Sequence, residues 1–234
     1  MRYYIYISQT KVNQLYAQIP VQLRQKIAAK FTIDLKLIKA EFEGRQSQES
    51  LFSMLEVVTS HLAGEGLVGT ADDPNIYFRE VMPLNWGPYH DYSQGDPGTE
   101  FVYFGGRTEK TIVGLGGSLR NVIGEVGTGV TQHSYSGRPM LARGLRNIVQ
   151  ADTSIQGIDV DTTDALQLVN LASGRMGGPR ESMEFLAKRL VYGSTDNVFW
   201  VTGKRKQLYS RDEFEEIDHM NAILGSPLYV AMTE

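Results

Sequence analysis

Apolar residues recur along this chain with two periods, and the change from one to the other divides it into elements. "RYYIYIS", Arg2 to Ser8, reads as a strand of aromatic and β-branched residues. Val12, Leu15, Tyr16 and Ile19 then fall at helical spacing, and Pro20 closes that helix. Leu23, Ile27 and Phe31 suggest a second helix. "IDLKLIKAEFE" alternates with one slip of phase, the pattern of a bulged strand. Ser47 or Ser50 caps the next helix, whose face of Leu51, Met54, Leu55, Val58 and Leu62 is the cleanest amphipathic pattern in the chain.

A strand is predicted from Tyr77 to Trp86, followed by the loop "GPYHDYSQGDPG". "EFVYFGG" and "TIVGLGG" around "RTEK" give the strongest hairpin signal, although the turn lacks an Asn-Gly pair. Leu119, Val122, Ile123 and Val126 share a helical face that Gly127 and Gly129 end. Pro139 opens a helix carrying Leu141, Leu145 and Ile148, and Asp161 caps one with Leu166, Val169 and Leu171. In "GGPRESMEFLAKRLVYG", Pro179, the early acids Glu181 and Glu184, the late cations Lys188 and Arg189, and Gly193 all predict a helix. "NVFWV" and "PLYVAM" return to strands across the charged stretch from Gly203 to His219. Hairpin and helix-pair connections, without strict βαβ alternation, predict one α+β domain over residues 1–234, with helices packed on a mixed sheet of about seven strands.

Composition narrows the function classes. Hydrophobic residues at 41% and charged residues at 21% suit a globular core, and a net charge of -4 gives no whole-protein field for bulk DNA, RNA or anionic lipid. The absence of cysteine removes disulfides, thiolate nucleophiles and thiolate metal sites. His61, His90, His133 and His219 are scattered without ligand spacing, so no metal or other cofactor is implied. No signal-peptide core or membrane-spanning run is evident, which predicts a cytoplasmic protein outside the membrane.

The candidate chemistry lies in "GLGGSLRNVIGEVGTGVTQHSYSGRPM", Gly114 to Met140, which holds seven glycines. It lacks the Lys-Ser/Thr pair of a P-loop and the third glycine of a dinucleotide fingerprint. Two readings stay open. Gly116, Gly117 and Ser118 end a strand and open a helix, so their backbone N–H groups and the helix dipole hold an anion; or they only turn the chain, with Ser118 as an N-cap. In the first reading Ser134, Ser136 and Arg138 close over a phosphate, and Arg175 or Arg180 adds charge, Arg180 being a cation in a first helical turn. Gly117→Asp then abolishes binding with the fold intact. His133 is a weak catalytic candidate, since no acid orients it.

"YYIYISQTKVNQLYAQIP", "YFGG", "VGLGGS", "RMGGPRESMEFLAKRLVYG" and "GSPLYVAM" together resemble an uncharacterised bacterial domain family over nearly the whole chain. The family's pattern is a tyrosine-rich first strand, a K-V-x-x-L-Y helix, a G-L-G-G-S turn, an E-F-L-A-K-R-L helix and a G-[ST]-P-L-Y-V-A end. The resemblance implies a setting in antiviral or other conflict pathways, and no transferable activity. Three functions follow as expectations: binding of a small phosphate-bearing ligand, a nucleotide-derived second messenger foremost, as sensor or sequestering protein; a metal-independent phosphodiesterase using His133; or a protein-interaction module. A homo-oligomer or an effector protein partner stays open.

Overall fold

The computed structural model describes residues 2–30, 48–90, 100–124, 137–151, 164–173, 176, 180–195 and 220–233. Among them are five α-helices and seven strands, all in one mixed sheet that closes in part as a barrel. The strands are β1 (Arg2–Ile7), β2 (Val68–Gly69), β3 (Tyr77–His90), β4 (Glu100–Arg107), β5 (Thr111–Ser118), β6 (Glu181–Ser194) and β7 (Asn221–Thr233). The helices are α1 (Gln9–Gln18), α2 (Val21–Lys30), α3 (Gln48–Gly64), α4 (Arg138–Ala151) and α5 (Ala165–Ser173). The bulged strand predicted in "IDLKLIKAEFE" and the strand "NVFWV" lie outside the described residues.

Five strands make the ring. β3 pairs with β4, β4 with β5, β5 with β7, β7 with β6, and β6 returns to β3. One hydrophobic cluster draws on all five, with Phe78, Phe104, Leu115, Phe185 and Ile223 among its members, and fills the ring. Two further clusters lie outside it: α4 and α5 pack on Phe101, Tyr103 and Ile112 of β4 and β5, while α1 and α3 pack on Leu186, Tyr229 and Ala231 of β6 and β7. The sheet thus carries helical layers on separate parts of its outer surface, as an α+β arrangement requires.

Two helix predictions are overturned. The segment from Glu181 is β6, a 14-residue strand. Met183, Phe185 and Ala187 alternate into the ring, while Glu184 and Leu186 sit on the other face. That period-2 burial between two partner strands outweighs the Pro, charge and Gly cues that favour a helix locally. The helix predicted from Leu119 is a three-residue 3-10 turn, Leu119–Asn121, after which Val122 bridges to Tyr6 and the Ile123 N–H donates to Ile5 O at 2.7 Å. Unpaired groups on β1 capture this segment as extended chain. The hairpin holds without Asn-Gly because Thr108 Oγ1 accepts from the N–H groups of Lys110 and Thr111, at 3.1 and 2.9 Å. The cap of α5 is Asp164, whose Oδ1 accepts from the Leu166 N–H at 2.8 Å, and not Asp161.

On the outer face of β6, buried Glu184 takes up charge from three elements. Its carboxylate accepts from Arg2 Nε at 2.6 Å, from Arg79 Nε at 2.6 Å and from the Tyr229 hydroxyl at 2.8 Å. Burial alone would raise its pKa, but the Tyr229 and Arg79 hydrogen bonds and the two guanidinium charges outweigh it and hold the carboxyl below its usual range. A depressed folded-state pKa contributes stability above the unfolded value, which is lost as pH falls through the folded one. Glu184→Gln is therefore expected to lower stability at pH 7 by roughly 2 kcal/mol, the scale of charge-assisted hydrogen bonds. Urea denaturation at pH 7 and pH 3 should show that difference shrinking in acid.

Candidate functional site

β7 has one edge shared by two strands. β5 runs parallel to it as far as the Leu115 and Gly225 pair, and β1 runs antiparallel to it from the Ile7 and Tyr229 pair onward. Between them Ser226, Pro227 and Leu228 have no strand on that edge. The register against β6 slips here, Leu186 facing Tyr229 and Ala187 facing Pro227, which leaves Leu228 as the extra residue of a bulge. The side of the seam is closed by α1. The Ser8 N–H donates to Leu228 O at 2.8 Å, and Lys11 Nζ donates to Pro227 O at 2.9 Å and bonds Ser226 Oγ at 2.6 Å.

A cavity of about 470 Å³ opens at this seam. Among the described residues its charged ones are Lys11 from the first turn of α1, Arg120 from the 3-10 turn after β5, and Lys188 from β6, and no acidic residue lines it. Among the described residues neither Arg120 nor Lys188 has an ion-pair partner. Ser8, Thr10 and Ser118 add hydroxyls, and Gln14, Gln18 and Asn121 add amides. α1 presents its N-terminal end here with no acid in the first turn and no side-chain cap, so the positive end of its dipole reinforces the cations. Burial and the neighbouring Lys188 bring the Lys11 ammonium down to about 7. The Tyr6 phenol, which accepts a hydrogen bond from Asn121 Nδ2 at 3.2 Å, is pushed up by burial to about 12 and stays neutral at pH 7.

The residues predicted from sequence are only partly gathered here. Ser118 lines the cavity, at the end of β5. Gly116 and Gly117 do not open a helix: both are buried inside β5, paired with Tyr103 and Val102 of β4. A Cβ at Gly116 would fall 2.5 Å from Leu141 Cδ2, and one at Gly117 would fall 2.7 Å from Tyr6 Cζ. These glycines admit a leucine and a tyrosine against the strand, so the predicted helix-dipole cradle is absent and the account of Gly117→Asp changes with it. Arg138 stands at the start of α4, 3.9 Å from Asp164, with both side chains more than half exposed. The Arg180 Nε donates to Asn85 Oδ1 at 3.2 Å, and Arg180 lines a second cavity of about 760 Å³ together with Arg107, Asp72, Glu80 and Glu109. Three acids against two arginines give that cavity no pull on an anion. Ser134, Ser136, Arg175 and His133 lie outside the described residues.

Lys11, Arg120 and Lys188 were not legible as site residues. Lys11 carried a signal of the kind read at Arg180, a cation in the first turn of a helix where the dipole disfavours it. Lys188 was hidden by the helix reading of its segment, in which a late cation needs no further cause. Among the described residues no group of three metal-ligating side chains occurs, and no helix is long and apolar enough to cross a membrane.

A partly closed α+β barrel with a cation-lined cavity where two strands share one edge defines the class of protein by fold and site. Within it, the chain belongs to DUF7019, a family of unknown function whose model matches residues 2–234. No curated protein and no solved structure matches it significantly.

Proposed function

We propose that the seam cavity binds a small phosphate-bearing ligand. The observation that carries this reading is the charge of its wall: three basic side chains and, among the described residues, no acid, in a chain whose net charge is -4. Such a wall gives the cavity a local positive field, and phosphate is the anion that ammonium, guanidinium, hydroxyl and helix N-terminus all recognise. The volume falls within the roughly 300–1,000 Å³ of small-molecule sites. The amides of Gln14, Gln18 and Asn121 and the ring of Tyr77 suit hydrogen bonding and stacking of a base, which favours a nucleotide-type ligand.

The stretches by which the chain resembles its family support the same place. "YYIYIS" supplies Tyr6 and Ser8, "KVNQLY" Lys11, "GLGGS" Ser118, "EFLAKRL" Lys188, and "GSPLYVA" the Ser226 and Pro227 oxygens that hold Lys11. In the bacterial conflict setting that this resemblance implies, the ligand is a nucleotide-derived signal and the protein its sensor or sequestering partner. A thermal-shift screen against mono-, di- and cyclic nucleotides tests the reading. A ligand at 100 times its Kd stabilises by about 2.7 kcal/mol, which should raise the melting temperature by roughly 5–10 °C. Mass spectrometry should find the ligand unchanged. A panel without any shift contradicts the proposal.

A further inference from the structure

Lys11 stands apart from the other two basic side chains of the cavity, which are exposed, because it is half-buried and its hydrogen-bond partners are the neutral oxygens of Ser226 and Pro227. Among the described residues, every element packed around it withholds a counter-charge. α1 has no acidic residue and adds the positive end of its dipole. From β6 comes Lys188 and from the 3-10 turn Arg120, while β1 and β3 contribute the neutral phenols of Tyr6 and Tyr77. On α3, Glu56 is engaged by Arg2 and Tyr4, and His61 faces Glu65. Glu184, four residues before Lys188, is taken by Arg2 and Arg79. The Arg24 guanidinium of α2 lies over the Tyr16 ring and donates to Ile19 O.

Resting on the reading of this cavity as an anion site, we infer that its ligand presents a doubly charged, phosphomonoester-like group and that binding completes the protonation of Lys11 Nζ. The geometry makes the ammonium form costly while the cavity is without an anion, and a dianion beside three cations removes that cost more fully than a monoanion does. Burial and Lys188 bring free Lys11 down to about 7, so near neutral pH it is only partly protonated. Linkage then sets the sign: the bound state holds more protons than the free state, so affinity falls as pH rises, approaching tenfold per pH unit well above that point. Lys11 is thereby a pH-dependent gate on the site.

Inorganic sulfate is the probe, because it is a dianion that does not titrate in this range, and dimethyl phosphate is the monoanion control. Calorimetric titration with sulfate in two buffers of different ionisation enthalpy should show proton uptake that grows from pH 6 to pH 8. Dimethyl phosphate should bind more weakly. Lys11→Arg should bind sulfate with no proton uptake and a flat profile between pH 6 and 9; if that variant does not fold, Lys11→Met should lose the uptake and bind more weakly. Sulfate binding with the same heat in both buffers, or dimethyl phosphate binding as tightly as sulfate, overturns the inference and leaves the anion site standing. Failure of both anions to bind overturns the anion site as well.

Discussion

Gly117→Ala is expected to lower the melting temperature by roughly 10 °C, and Gly117→Val to leave no cooperative unfolding transition at all. Gly117 is paired with Val102 of β4 along one edge, and the face that would carry the new methyl is occupied by Tyr6. A methyl there stands 2.7 Å from Tyr6 Cζ and 3.1 Å from Tyr6 Cε2, closer than carbon atoms pack. Tyr6 cannot swing away: it is buried, it stacks edge-on with Phe104 at 6.0 Å between ring centroids, and Asn121 holds its hydroxyl. Overpacking of this kind costs about 1–3 kcal/mol or more, and a chain of this length loses roughly 2–4 °C per kcal/mol. Gly117→Asp adds an unpaired buried charge and is expected to unfold, the reverse of the intact fold that a phosphate cradle would allow. Tyr6→Phe removes the nearest atom, so the Gly117→Ala, Tyr6→Phe double variant should recover part of the loss, and the non-additivity measures the contact. An unchanged melting temperature in Gly117→Ala would contradict this packing.

The second effect concerns Lys188. Lys188→Glu should weaken binding of phosphate-bearing ligands, because it replaces one of three basic side chains by an anion at the mouth of the cavity. Lys188 is exposed, so the loss of its charge costs the screened amount of a surface charge, about 0.5–1 kcal/mol or roughly two- to fivefold in affinity, and reversal adds repulsion. The fold should survive, since Lys188 has no ion-pair partner among the described residues. Circular dichroism and urea denaturation separate loss of site from loss of structure. Arg120→Ala should weaken binding by the lower end of the same range, the side chain following a strand whose pairing it does not join.

Much of this architecture is legible in the apolar periods. α1, α3, the β4 and β5 hairpin and β7 follow directly, because each packs one apolar face against a neighbour close in sequence or shows an uninterrupted alternation. β6 does not: "ESMEFLAKRL" satisfies a helix pattern and a strand pattern together, and only its two partners, β3 and β7, decide between them. The site fails for a related reason. Reading Gly116 to Ser118 as the start of a helix presumes that Leu119 to Val126 has no better partner, whereas β1 supplies one from more than a hundred residues away in sequence. The anion site proposed above lies instead at the N-terminal end of α1, lined also by Ser118, with Lys11, Arg120 and Lys188, which only the ring and its seam bring together.

Two cations on or beside β6 now separate the alternatives. Arg180 precedes the strand and lines the mixed-charge cavity, and Lys188 lies eight residues on, about 26 Å along an extended chain. The most direct measurement is the affinity of pyrophosphate, by calorimetry, for the unmodified protein, Lys188→Met and Arg180→Met. The seam site predicts a loss of roughly two- to fivefold in Lys188→Met and no change in Arg180→Met. Loss in Arg180→Met with full binding in Lys188→Met would contradict it and move the ligand to the other end of the strand.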